Sequence, residues 1–351
     1  LSESKTSKSK AIRTRVKLTD VADAAGVHAS TVSRVLRPGY KGKISKEVVD
    51  RVKSVARDLG YQPNTLAASM RTKSTGTVGF VVHDLRDPIY PPILNGIEHV
   101  LSQHGISVLI GNTGYKIETE IEIVDRMLSR QIDGIFLGTT LLEDPVVDKL
   151  NALDTALVSI LRQTKKNDIP SVTSDCYGGM QSLTEHVLTL GYRDIAVIHA
   201  PFNLSTAVQR WQGIQHTLEQ WGIDLPSHRV ASVTRMSEVE GEQQAVALLE
   251  ASPDLPEVIM CVNDLVAVGA IMACKRFGLS IPEDIAVTGH NDIPLMNIIA
   301  PPLTTVGMKL YEIGLAAGEM MLDQVKQSSQ LPTNIEVETE LICRDSLLSR
   351  W

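Results

Sequence analysis

Between residues 78 and 325, short apolar runs alternate with amphipathic segments, and that alternation admits few architectures. The apolar runs fall at 78–82, 107–111, 134–138, 156–160, 195–199, 258–262 and 285–288. The amphipathic segments fall at 91–104, 118–130, 178–190, 208–221, 237–250, 264–277 and 308–325. Short apolar strands joined through helices form parallel α/β sheets covered on both faces. One internal similarity divides this region in two. "NGIEHVLSQHGI" (95–106) and "QGIQHTLEQWGI" (212–223) agree at seven of twelve positions without gaps. Each follows a strand and ends at a glycine, so each reads as the first helix of an α/β half. Two doubly wound halves side by side leave a crevice at the carboxyl ends of their strands, where ligands bind.

The segment ahead of this region has a different character. Three helical patterns lie at 19–25, 29–36 and 45–59, with Val21, Ala22 and Ala25 on one face of the first. Val32, Val35 and Leu36 share a face of the second, and Val48, Val52, Val55, Ala56 and Leu59 a face of the third. Ser45 is placed to cap the third helix and Gly60 to stop it. "RPGYKGK" (37–43) reads as a loop, and residues 1–15 as a disordered basic arm. The expected domains are therefore the arm, a three-helix head at 16–62, a linker at 63–76 and a two-lobed body at 77–351. Within the linker, 64–71 has room for about two helical turns, too few to be stable alone.

Charge separates head from body. The chain carries a net −7, yet residues 1–75 hold 16 Lys and Arg against 6 Asp and Glu. The remainder holds 18 against 35. A basic head on an acidic body points to a polyanion partner for the head alone. No apolar run approaches the roughly 18–20 residues of a membrane span. The N-terminal stretch lacks the apolar core of a secretory signal. Four scattered cysteines show no metal-like spacing and read as buried thiols of a reducing compartment. A soluble cytoplasmic protein without membrane, metal or cofactor is expected. Neither a nucleophile elbow nor a zinc-protease, phosphate-loop or dinucleotide motif occurs, which disfavours an enzyme. A two-lobed enzyme and a solute-binding protein are the rival readings.

Two short helices joined at Gly26 form a helix-turn-helix, whose second helix lies in the major groove of double-stranded DNA. Its apolar stripe packs inward, while Ala29, Ser30, Ser33 and Arg34 face outward. An arginine reads guanine with two hydrogen bonds, and short hydroxyls approach phosphates or base edges.

"TDVADAAGVHASTVSRVL", "ISKEVVDRVKSVARDLGYQPN" and "GFVVHDL" together closely resemble the lactose-repressor/galactose-repressor (LacI/GalR) family of bacterial transcription regulators. So do "SDCYGG" (174–179), "HVLTLGYRDIAVI" (186–198), "CVNDLVAVGA" (261–270), "GLSIPEDIAVTGHND" (278–292) and "PPLTTV" (301–306). The resemblance runs from about Lys17 to Arg344 in family order. It implies a homodimeric repressor with a near-palindromic operator, a body like periplasmic sugar-binding proteins and a carbohydrate-like effector between its lobes.

The DNA-binding residues it implies are Thr19, His28, Ala29, Ser30, Thr31, Ser33 and Arg34, with Asn64 and Met70 in a hinge helix that orders on DNA. The implied effector residues are Ile89, Tyr90, Arg210, Trp211, Asn263, Asp264 and Asn291. Four positions depart from the family pattern. Met70 stands where leucine wedges into the minor groove, and His28 where Ser or Thr caps the recognition helix. Asn291 and Leu161 replace two ligand-binding acids, which favours a larger, less polar or acidic ligand, with Arg210 available to an anion.

Overall fold

The computed structural model describes residues 16–36, 42–61, 74–251, 254–326 and 333–350. They divide between Thr75 and Gly76 into two compact units, a head and a body. In the head, α1 (Leu18–Ala25), α2 (Ala29–Val35) and α3 (Lys46–Asp58) enclose Val21, Ala22, Ala25, Val32, Val35, Val52 and Ala56. The break after α1 is a glycine effect. Gly26 takes φ +64, and the N–H groups of Gly26 and Val27 turn back onto the carbonyls of Asp23 and Ala22. That left-handed cap is open to glycine at little cost. The expected α3 face narrows: Val48 and Val55 are half-buried, and Leu59, beyond the last turn, is exposed.

The body has two six-stranded sheets. The first holds β1 (Thr77–Val82), β2 (Ser107–Asn112), β3 (Gly134–Leu137), β4 (Leu157–Ile160), β5 (Ser171–Ser174) and β11 (Asn334–Val337), in the all-parallel order β11-β5-β4-β3-β1-β2. The second holds β6 (Ile195–His199), β7 (Val230–Ser232), β8 (Val258–Cys261), β9 (Ala286–Asn291), β10 (Thr304–Met308) and β12 (Thr339–Ile342), in the matching order β12-β10-β9-β8-β6-β7. Only the β10–β12 pair is antiparallel.

Each sheet is covered on both faces. In the first lobe, α4 (Tyr90–Ser102) and α11 (Leu310–Lys326) pack over Val78, Phe80 and Val82. Against the other face, α5 (Ile117–Ser129) and α6 (Pro145–Ala152) meet Val81, Ile135 and Leu137. Side chains alternate between faces at period two, so a strand flanked twice buries its side chains on both sides and favours a continuous apolar run. The second lobe repeats the plan with α7 (Cys176–Thr189) and α8 (Ser205–Gln220) on one face and α9 (Glu238–Glu250) and α10 (Asp264–Arg276) on the other.

The two similar segments fall in equivalent helices, α4 after β1 and α8 after β6. A Cβ at Gly96 would collide with the backbone of Tyr311 and Leu315 in α11, and one at Gly213 with the Tyr177 carbonyl in α7. The shared glycine lets one helix backbone touch another in each lobe.

The lobes are not consecutive in sequence. The chain passes from the first to the second at Asp175, back at Lys309, and across again at Glu338. The crossings brace one another: Asp175 N–H donates to the Val337 carbonyl (3.0 Å), and Thr339 Oγ1 donates to the Asp175 carbonyl (3.1 Å). The apolar pattern did not announce β5 and β10, because their buried side chains include Ser171, Thr173, Ser174, Thr304 and Thr305. The hydroxyls of Ser171, Ser174, Thr304 and Thr305 bond internally, as when Ser171 donates to Asn334 Oδ1 (2.8 Å).

Candidate DNA-reading face and ligand cleft

The recognition helix α2 is short, and its polar side chains hold one another. His28 occupies the N-cap, where its Nδ1 accepts from the Ser30 N–H (3.2 Å) and contacts Ser30 Oγ (2.8 Å). The imidazole thus does the work of the hydroxyl usual at a cap. Arg34 lies back along the helix, its Nε donating to the Ser30 carbonyl (3.2 Å). Thr19, His28, Ser30 and Arg34 are exposed, while Ala29, Thr31 and Ser33 are half-buried. Asn64 and Met70 lie outside the described residues.

The cleft is lined from both lobes, and about 490 Å³ of space, its mouth included, lies within it. From the first lobe come His83, Asp87, Ile89, Tyr90, Tyr115, Leu161 and Arg162; from the second come Thr206, Arg210, Met236, Asn263 and Asn291, with Met308 at a crossing. Direct contacts close it. Gln163 N–H donates to Ser205 Oγ (3.0 Å), Leu142 N–H to the Asn203 carbonyl (2.9 Å), and the Arg235 guanidinium lies 5.5 Å over the Tyr115 ring.

Arg210, on α8, is buried. It donates to the Val262 carbonyl (2.7 Å), to Asn291 Oδ1 (3.2 Å) and weakly to Met308 Sδ (3.8 Å). Its buried Nε–H has no acceptor among the described residues. Arg162, just past β4, is equally buried and donates to His83 Nε2 (2.6 Å). The imidazole that accepts this bond is neutral; burial first, and the guanidinium second, lower its pKa to about 3. His83 also stacks on Tyr115 at 4.7 Å, whose phenol is pushed up to about 12 chiefly by burial. Asp87 is the acid of the cavity. Burial pushes its carboxyl up to about 6, against the pull of the Ile89 N–H, Arg162 and Arg210.

The backbone is strained at this cleft. Leu161 (φ 69), Asn291 (φ 118) and Tyr115 (φ 64) all lie in the left-handed region. Such conformations persist where the surroundings impose them, commonly at ligand sites. Leu161 follows β4 and Asn291 ends β9, the third strands of the two matching orders. Leu161 and Asn291 are therefore structural equivalents.

Of the residues singled out in the sequence, Ile89, Tyr90, Arg210, Asn263 and Asn291 come together in the cavity. Asn263 Oδ1 caps α10 by accepting from the Val266 N–H (3.0 Å). Two residues are placed elsewhere. Asp264 sits behind the cleft, its oxygens accepting from Thr305 Oγ1 (2.5 Å) and the Ile293 N–H (2.8 Å), a brace between strand ends. Burial pushes its carboxyl up to about 6. Trp211 follows Arg210 on a helix, where neighbours point about 100° apart, and it packs instead beside His199 (5.3 Å) and Phe202 (5.7 Å). The sequence reading missed His83, Asp87, Tyr115, Arg162 and Met236. For His83 and Arg162 a signal existed, since they lie one and two residues past a strand's carboxyl end.

A helix-turn-helix head joined to a hinged, two-lobed body with a polar cleft defines a class, the ligand-sensing DNA-binding regulators. The chain belongs to the LacI family. The family pattern described as "Bacterial regulatory proteins, lacI family" matches residues 17–64, and "Periplasmic binding proteins and sugar binding domain of LacI family" matches residues 75–345. The chain is 31% identical over 330 residues to the ribose operon repressor of Halalkalibacterium halodurans, covering 93% of this chain and 96% of that one. It is 30% identical over 340 residues to the HTH-type transcriptional repressor CytR of Escherichia coli K12, covering 97% and 98%.

Among solved structures, a transcriptional regulator CelR–cellobiose complex is 26% identical with a TM-score of 0.72, covering 95% of this chain and all of that one. The lac repressor dimer bound to operator and the anti-inducer ONPF shares the fold at 24% identity and a TM-score of 0.84, with the same coverage. The protein is a DNA-binding transcriptional regulator, and its relatives are regulators too. Among the described residues no helix is long and apolar enough to cross a membrane, and no acid, His and Cys group is placed to hold a metal ion.

Proposed function

We propose that this regulator is a cytoplasmic repressor that binds a near-palindromic operator as a homodimer and is controlled by a small sugar, sugar acid or glycoside in its cleft. The reading takes Thr19, His28, Ala29, Ser30, Thr31, Ser33 and Arg34 as the DNA-facing set, with Asn64 and Met70 supporting them from the linker. Ile89, Tyr90, Arg210, Asn263 and Asn291 hold the effector. The observation that carries it is the lining of one cavity by both lobes, which the described residues join through three short crossings and through contacts across the cleft. A ligand there touches both lobes when they close and one when they open, so it binds the two arrangements unequally. That inequality is what allostery requires, at a coupling of about 1–3 kcal/mol. The cellobiose complex of CelR supports a carbohydrate-like effector. The test is selection of bound fragments from random DNA by the full chain, followed by operator titration against a sugar panel. Enriched fragments should carry two related half-sites, and one compound should shift operator affinity about 5- to 150-fold. Single half-sites, or an affinity no cleft ligand changes, would contradict the reading.

A further inference from the structure

Two guanidiniums line the cleft; among the described residues neither forms an ion pair, and the Asp87 carboxyl acts on both only through space. Arg162 comes from the first lobe and Arg210 from the second, each almost wholly buried. Their bonding partners are a neutral imidazole, backbone carbonyls, an amide oxygen and a thioether. Among the described residues, no ion pair within 4 Å involves either arginine. Asp87 is the one carboxyl on the cavity wall. Its Oδ1 is engaged by the Ile89 N–H (3.2 Å). At the equivalent strand ends in the cavity lining the chain has the uncharged Leu161 and Asn291. A buried charge left unpaired is costly, and guanidinium forks suit planar or tetrahedral oxyanions. The buried Nε–H of Arg210, without an acceptor, marks one unused donor.

We propose that the cleft takes a small hydroxylated organic anion, whose acidic group is bridged between Arg162 of one lobe and Arg210 of the other. This rests on the regulatory reading of the cleft and narrows its effector to a carboxylate or phosphate ester. Among the described lining residues one carboxyl, Asp87, stands against two guanidiniums, and the anion supplies the second negative charge. Because it ties one lobe to the other, its charge itself favours closure, and a neutral sugar of the same shape does not substitute for it. Thr206, Asn263 and Asn291 are left to address hydroxyl groups.

The test is calorimetric titration of the full chain with glucuronate, galacturonate and glucose 6-phosphate, each beside its neutral parent sugar, and with inorganic phosphate alone. At least one organic acid should bind at least tenfold more tightly than its parent. Uronates and the phosphate ester, as separate arms, distinguish the two oxyanions. The Arg162→Gln and Arg162→Lys variants should lose roughly 10- to 100-fold and a smaller factor respectively, as removal of charge-assisted bonds requires. Acids that never out-bind their parents would overturn the proposal in the wild-type protein alone, whatever the variants do. Binding of inorganic phosphate with no preference for any organic acid would overturn it as well. Operator affinity, read in parallel, separates this from the regulatory reading. An acid that binds through Arg162 and leaves operator affinity unchanged would sink regulation and keep the anion. A neutral glycoside that changes operator affinity where no acid does would sink the anion and keep regulation.

Discussion

The head and the cleft both present arginine, yet they hold it in opposite ways. Arg34 is exposed and folds onto the backbone of its own helix, beside His28 and Ser30, which bond each other. Arg162 and Arg210 are buried, with partners drawn from distant elements of the chain. An exposed polar face exchanges its own bonds and water for DNA at small cost, so single substitutions there tune affinity and leave the fold intact. A buried site is desolvated when the chain folds, so its charges act on a ligand at nearly full strength. Under the proposed function, selectivity among DNA sequences would then rest on a replaceable surface and selectivity among ligands on a fixed interior.

The largest effect that sharpens this contrast is expected at Arg34. Arg34→Ala should weaken operator binding by about 1–3 kcal/mol and relax preference at one position per half-site, with ligand affinity of the body unchanged. Equal weakening on operator and random DNA would make Arg34 a phosphate contact, and the head would lose its part in sequence reading.

Next comes the cap. His28→Ala should lower the head's stability by about 1 kcal/mol in denaturant unfolding, and His28→Ser should recover it, since a serine hydroxyl can accept from the same helix N–H. An unchanged unfolding midpoint in the alanine variant would show that the imidazole bond contributes nothing.

The smallest expected effect lies in the cleft and concerns pH. Asp87 faces Arg162, Arg210, Asp84 and Tyr115, and its carboxyl is raised to about 6. Protonation as pH falls through 6 removes a negative charge beside the bound anion. A uronate, still ionised down to about pH 4, should therefore bind severalfold more tightly at pH 5.5 than at pH 7.5. Asp87→Asn keeps the bond to the Ile89 N–H and should flatten that profile at the tighter level. A profile that falls toward acid would place the acidic group away from Asp87.

The sequence displayed whatever depended on runs of like residues. Val78–Val82 and the similar helices α4 and α8 were legible because that strand buries apolar side chains and each of those helices meets a neighbouring backbone at a glycine. Strands β5 and β10 were not, because buried serine and threonine read as polar although their hydroxyls are bonded inside. The interleaving of the lobes was hidden for a simpler reason: each crossing is a single residue, Asp175, Lys309 or Glu338, with no compositional mark. In the cleft, Arg210, Asn263 and Asn291 were visible through family pattern. Arg162 and His83 were visible only through position, and Asp264 misled because an acid next to a strand end serves equally well as an internal brace.

The central claim is that head and cleft are separate sites coupled through the ligand, and Arg210 tests it most directly. Operator affinity should be measured by fluorescence anisotropy for wild type and Arg210→Ala, without effector and across an effector titration. The expected result is equal affinity without effector, followed by a shift in the wild type that the variant lacks. A variant that follows the wild-type curve would remove Arg210 from the ligand site and contradict the account.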